Sequence, residues 1–305
     1  MSSRVHFPEN DPLEIEATQR IMEMLRYTHR LTGALDDHRN PAAGSAYERD
    51  RGLCPAYPSS VTVDHLLSAA HGNLAAMRRT LAVEESDTKV NMTLDLYGVY
   101  ELVRGTLETS ARALWVASPG NARRRAKRTL LLLKEENDNK IKYLEAMGKR
   151  TAEVRELQAE MAARLRGYAA LADIDPWPGK GARRGDIWAD HPVKSTRILQ
   201  YVSHFHQAPN LPLGYYAAWC MASGIAHGQQ WAFHLLNERR EMNWEAMEAQ
   251  MTGSFQRLHL LMQSAVALVS VAADRHIALS TQPSPGPVQV RALIDLKSPA
   301  PSGLR

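Results

Sequence analysis

Apolar residues recur at helical spacing along most of this chain, and glycine and proline fall between those stretches rather than inside them. Ile15, Ile21, Met22, Leu25 and Leu31 predict a helix over 11–35. Residues 36–58 are polar and hold Pro41, Gly44, Gly52, Pro55 and Pro58, which predicts a long connection. Ser59 or Ser60 caps a helix to about 81 whose inner face is Val63, Leu66, Leu67, Leu74 and Met77. A long apolar helix over 90–117 stops at Ser118-Pro119-Gly120. Asn121 caps the next, to about 147, and a more exposed charged helix follows to about 171. Prolines and glycines make 172–192 a loop. Helices over 193–204, 213–236 and a very long 243–279 follow, with Met247, Met251, Phe255, Leu258, Met262, Ala265 and Val269 repeating along the last. The proline-rich end carries a short strand or extended arm over 288–296. Neither a heptad run, nor an internal repeat, nor strand alternation is present. The pattern predicts an all-α fold: a single bundle of about seven or eight helices with a long C-terminal helix. It divides as a helix and loop (1–58), the bundle (59–279) and a tail (280–305).

Composition narrows the class. The chain has 305 residues, 44% hydrophobic and 23% charged, with a net charge of +4. Those values suit a globular protein with ample core and exclude a disordered or collagen-like chain. Cys54 and Cys220 are too few for a disulfide scaffold or a four-cysteine zinc site. The first twenty residues hold no apolar stretch behind a basic start, so a cytoplasmic location is expected.

One segment departs from the rest. The forty residues between Arg197 and Glu238 include no Asp, Glu, Lys or Arg. A surface helix needs a charged face, so the 213–236 helix is expected to be buried almost all round. Its interrupted hydropathy excludes a membrane span. At 100° per residue, Tyr216, Ser223, His227, Gln230 and His234 fall within roughly one sixth of its circumference. Trp219 and Trp231 border that stripe, and Gly224 and Gly228 lie to one side, where a neighbouring backbone can approach. Buried polar groups need partners. Two accounts satisfy that need: a sealed hydrogen-bond network, or a wet cleft. Ser223 and His227 stand one turn apart, but no nucleophile elbow or third triad member accompanies them.

The 90–117 helix offers a partner stripe of Tyr97, Arg104, Glu108 and Trp115, with Glu101 and Arg112 beside it. Facing the Ser/His line, Arg104 would donate and Glu108 would accept from imidazole; the alternative is a solvated ion pair between the two. Residues 123–128 form the densest basic cluster, but KEENDNK follows and offsets its field. His204 and His206 stand two apart without an acidic third ligand, and Glu-x-x-His, Walker A, dinucleotide and HExxH motifs are all missing. Neither metal nor cofactor is expected.

The helix with Arg104, Glu108 and Trp115, followed by Ser223, Gly224, Ala226, His227, Gly228 and Trp231, resembles a group of actinobacterial helical proteins. The likeness spans roughly 90–236 and implies no particular activity. More distantly, two long helices meeting across a polar groove are similar to the HEPN superfamily, many of whose members are metal-independent ribonucleases. Arg197 and His204 fit the outer spacing of its signature, with Ile198 where a polar residue belongs. That resemblance implies RNA as a partner and a homodimer. It makes His204 or His227 the general acid/base and Arg197 or Arg104 the stabiliser of phosphorane charge. The competing expectation is a non-catalytic helical protein that binds another protein or a small ligand, with Tyr97, Trp115, Trp219, Gln230, Trp231 and His234 lining its site.

Overall fold

A computed structural model describes residues 11–81, 84–85, 90–92, 94, 97–148, 151–174, 193–243 and 248–288. Ten helices appear among them, in the order α1 (Pro12–Asp37), α2 (Ala46–Asp50), α3 (Ser59–Thr80), α4 (Gly98–Ala117), α5 (Ala122–Ala146), α6 (Thr151–Leu171), α7 (Ser195–His206), α8 (Tyr215–Ala226), α9 (Gln230–Leu236) and α10 (Phe255–Thr281). Two antiparallel ribbons join them: β1 (Glu84–Glu85) with β2 (Val90–Asn91), and β3 (Asn237–Asn243) with β4 (Glu248–Gly253). The fold is all-α.

Two helices make the centre. Helix α4 packs against α3, α10, α8, α7 and α5, and α10 packs against α4, α1, α3, α8 and α2. Val99, Tyr100, Val103, Leu107, Ala111, Leu114 and Val116 of α4 are wholly enclosed, as are Leu258, Leu261, Met262, Ala265 and Leu268 of α10. Among the described residues α10 is the one helix long and apolar enough to cross a membrane, and 67% of its most apolar window is buried inside the bundle. It is a core helix.

Several helix ends have local causes. Asp11 accepts from the N–H of Leu13 at the start of α1, and Asn121 accepts from Arg124 N–H at the start of α5, the second as the sequence predicts. Neither Ser59 nor Ser60 caps α3: both lie inside its first turn, Pro58 takes the cap position without a side-chain bond, and Ser59 Oγ instead accepts from Thr129 Oγ1. The C-terminus of α4 is closed by distant arginines. Arg275 Nε donates to the carbonyl of Ala117 at 3.1 Å, and Arg128 donates to that of Trp115. Cations belong at the negative end of a helix dipole.

Four further expectations need correction. The connection over 36–58 contains α2, which Ser45 caps by accepting from Glu48 N–H. Helix α4 begins at Gly98 rather than 90, because Val90 and Asn91 pair with Glu85 and Glu84. The very long C-terminal helix begins at Phe255, not 243. There the buried carboxylate of Glu14 accepts from Ser254 Oγ and Phe255 N–H, both at 2.7 Å, and so fixes the first turn. The 213–236 helix is two helices with a corner between them. The loop over 175–192 and the arm beyond Val288 lie outside the described residues.

Candidate functional site

The corner between α8 and α9 explains much of the segment from Ser223 to Trp231. Gly228 has a φ of +65°, a left-handed conformation suited to glycine. Its N–H donates to the carbonyl of Ile225, and the N–H of Gln229 donates to that of Gly224, each at 2.8 Å. This pair of bonds is a Schellman closure, with Gly228 just past the end of α8. The chain then turns back on itself. A Cβ on Gly224 would lie 2.5 Å from the Cβ of Ala232 and 2.9 Å from Cζ2 of Trp231. The close approach expected at Gly224 is therefore made, by side chains of the very next helix rather than by a backbone, whereas nothing lies within 4 Å of a Cβ at Gly228 among the described residues.

The corner splits the polar stripe. Ser223 is buried near the end of α8, whereas His227, Gln230, Trp231 and His234 are exposed. The N–H of His227 donates to the carbonyl of Ser223, and no side-chain hydrogen bond joins the two among the described residues. A helix enclosed all round, with a polar line facing a partner, is not what this segment forms. Its missing charges are only in part a matter of burial, since Trp231 and Leu235 are each about half exposed.

The partner stripe on α4 does meet α8, through other atoms than expected. Glu108 Oε1 accepts from Arg104 Nε at 3.1 Å and from the indole N–H of Trp219 at 2.8 Å. Arg104 also lies 3.7 Å from Glu101. Glu108 thus receives indole and guanidinium rather than imidazole. Trp219 stacks on Tyr216 with ring centroids 5.9 Å apart. One turn further along α4, Arg112 makes a bidentate pair with Glu135, both bonds 2.9 Å, and donates to Ser195 Oγ at 3.0 Å. That joint fastens α7 to α4 and α5.

The remaining candidates sit elsewhere. Trp115 is buried, and the Arg128 guanidinium lies between its ring and that of Tyr201, 4.9 and 4.8 Å from the centroids. Tyr201 contacts Phe205 at 4.7 Å, and Phe205 contacts His204 at 4.5 Å. Arg197 and His204 are both exposed on α7, while Ile198 belongs to the core. The basic cluster of 123–128 is dispersed: Arg125 is buried against Asp50, Arg128 is held between rings, and Arg123 pairs with Asp173. No group of three or more His, Cys, Asp or Glu that could hold a metal occurs among the described residues.

A groove lies beside the corner. It has a volume of about 260 Å³ and is lined by Tyr97, Ile225, Gly228, Gln229, Gln230, Phe233 and His234. Tyr97, at the start of α4, stacks on Phe233 of α9 with centroids 5.6 Å apart and planes at 19°. Tyr97, Gln230 and His234 are legible in the sequence as binding candidates; Phe233 is not, since on one continuous helix it falls off the polar stripe. Among the described residues, no lysine, arginine or carboxylate lines this groove. No family model, curated protein or solved structure matches the chain.

Proposed function

We propose that this chain is a non-catalytic, cytoplasmic helical protein that recognises a protein partner through the uncharged α9 surface. The groove beside α9 takes one uncharged aromatic side chain of that partner. The supporting observation is the groove itself, with Tyr97 stacked on Phe233 as its wall and Gln230 and His234 at its edge. Pockets that bury a whole small ligand run to about 300–1,000 Å³, so about 260 Å³ suits a single side chain better. The rings offer a flat apolar face, and the amide and imidazole supply directional hydrogen bonds. Trp231 and Leu235, four apart and half exposed, extend the surface beyond it. Aromatic residues in such positions carry most of the binding energy at protein interfaces.

The ribonuclease reading has weaker support. It asks for an arginine and a histidine acting on one phosphate. Arg104 is engaged by Glu101 and Glu108, and neither Arg104 nor Arg197 lines the groove.

Titration with N-acetyl-tyrosinamide, followed by amide NMR, tests the proposal. Saturable shifts at Gln229, Gln230, Phe233 and His234 that vanish in Tyr97→Ala are expected. Unchanged spectra, or shifts that persist in Tyr97→Ala, would overturn it. Cleavage of RNA by the pure protein, lost in His227→Ala or His204→Ala, would establish the ribonuclease instead.

A further inference from the structure

Helix α2 and its flanks form a strap across the C-terminal end of α10. Two backbone bonds fasten it: Ala42 N–H donates to the carbonyl of Ser280, and Ala46 N–H to that of Gln282, each at 2.8 Å. Asp50 anchors the far side, accepting from Arg125 Nε and Nη2 at 2.6 and 2.7 Å with both groups buried.

Beneath the strap the polar groups are unmatched. Tyr47, His276 and Ser280 are essentially free of solvent contact, and the Tyr47 and His276 rings lie 5.4 Å apart. His276 and Ser280 stand one turn apart on α10. Tyr47 Oη, Ser280 Oγ and both ring nitrogens of His276 have no hydrogen-bond partner among the described residues. Such groups weaken a seam even when uncharged.

A charge on the imidazole would be far worse, because nothing nearby can receive it. The groups around the ring and its neighbouring phenol are Tyr47 and Asp50 of α2, Arg125 of α5, Arg275 of α10, and His38 at the end of α1. Asp50 is the carboxylate among them, and Arg125 holds both its oxygens. Arg275 is turned to the carbonyls of Ala117 and Gly286. Beyond burial, His38 is the group among the described residues that disfavours a charge on the ring.

We propose that the strap over residues 42–54 is an acid-loosened clasp: a proton from solvent taken up by His276 parts α2 from α10 while the α4–α10 core stays folded. Burial keeps the imidazole neutral at pH 7, holding its pKa down to about 4. Opening lets the ring return to an ordinary value near 6.5. Each pH unit between these values therefore favours the open strap by up to tenfold, and roughly 60-fold accrues between pH 7 and pH 4.5.

Hydrogen exchange at pH 7 and pH 4.5, corrected for intrinsic rates, tests this on the whole chain. The opening constants of the Ala42 and Ala46 amides should rise roughly 60-fold and stay well above that of Leu107 in α4, whose amide is released only when the core unfolds. In His276→Phe the rise at Ala42 and Ala46 should disappear. Strap amides that open at pH 4.5 no more readily than Leu107, or a rise that survives in His276→Phe, would overturn the proposal. If that variant does not fold, the wild-type imidazole supplies the answer by NMR. The titration midpoint of His276 should coincide with strap opening, and a ring that titrates while Ala42 and Ala46 stay protected would equally overturn it.

Discussion

The indole of Trp219 donates to Glu108 Oε1 at 2.8 Å, across the contact between α8 and α4. Glu108 is a quarter exposed and already holds Arg104. The carboxylate therefore joins two helices and neutralises a cation at once. Hydrogen bonds to charged groups contribute about 1.5–3 kcal/mol when well sheltered, and partial exposure places this one near the bottom of that range.

Trp219→Phe should thus destabilise by about 1–2 kcal/mol while retaining most of the ring's packing. Glu108→Gln keeps an acceptor for the indole but leaves Arg104 less well compensated. A double-mutant cycle between Trp219→Phe and Glu108→Ala, read by urea unfolding, should give a coupling of about 1 kcal/mol. Strict additivity would show that the bond carries no net stability.

The α8–α9 corner should be intolerant at two glycines for different reasons. Gly224→Leu drives a side chain into Ala232 and Trp231 and should cost about 1–3 kcal/mol through overpacking. Gly228 has open space around its α-carbon, so Gly228→Ala meets no clash. It meets the left-handed backbone instead, and should cost about 1–2 kcal/mol. Thermal melts of both variants check this, with a neutral Gly228→Ala the outcome that would contradict the closure.

These glycines also show what the sequence discloses. A buried face leaves a helical period wherever it occurs, so the stretches that became α1, α3, α5 and α10 were legible as helices. Gly228 is a stop signal of the ordinary kind, but apolar residues on both sides carry the period through it and hide the turn. The start of α10 has a local sign in Ser254, whose Oγ accepts from Arg257 N–H at 3.4 Å, but the apolar period from Met247 and Met251 runs through it and hides the break. It is fixed by Glu14, 240 residues from Ser254, and only the folded chain brings them together. The candidate site follows the same rule. Tyr97 and His234 stand out as an aromatic and an imidazole in suggestive places, whereas their meeting through Phe233 depends on how the corner folds.

Asp50 and Arg125 are both almost wholly buried, and two bonds join them. Removing one partner strands a charge in the interior. Asp50→Asn should therefore cost about 3–5 kcal/mol, among the largest effects of any single substitution in the strap. The double replacement Asp50→Leu with Arg125→Met removes both charges and should recover much of that loss, because apolar pairs of similar volume replace buried ion pairs well. Arg125 also donates to the carbonyl of Pro119, so recovery should be incomplete. Urea midpoints of the single and double variants decide the matter. A double variant no better than Asp50→Asn would show that the pair's geometry matters more than its charge balance.

Acid should weaken the whole fold well before carboxylates titrate. His71, His206, His259 and His276 are all held below the usual histidine value, in each case chiefly by burial. For His276 the folded value is about 4, whereas the unfolded chain binds its proton near 6.5. Between those limits the unfolded state carries more protons, so stability falls as pH falls. The loss starts near pH 6.5, continues to about pH 4 and then levels, while above pH 7 these groups contribute no slope. His276 alone accounts for about 2 kcal/mol by pH 5, and the other three add in the same direction. Urea unfolding at pH 7.5, 6 and 5 should show midpoints dropping with each step, and His276→Phe should flatten part of the slope. A midpoint unchanged from pH 7.5 to pH 5 would mean that these imidazoles are hydrated in the folded protein.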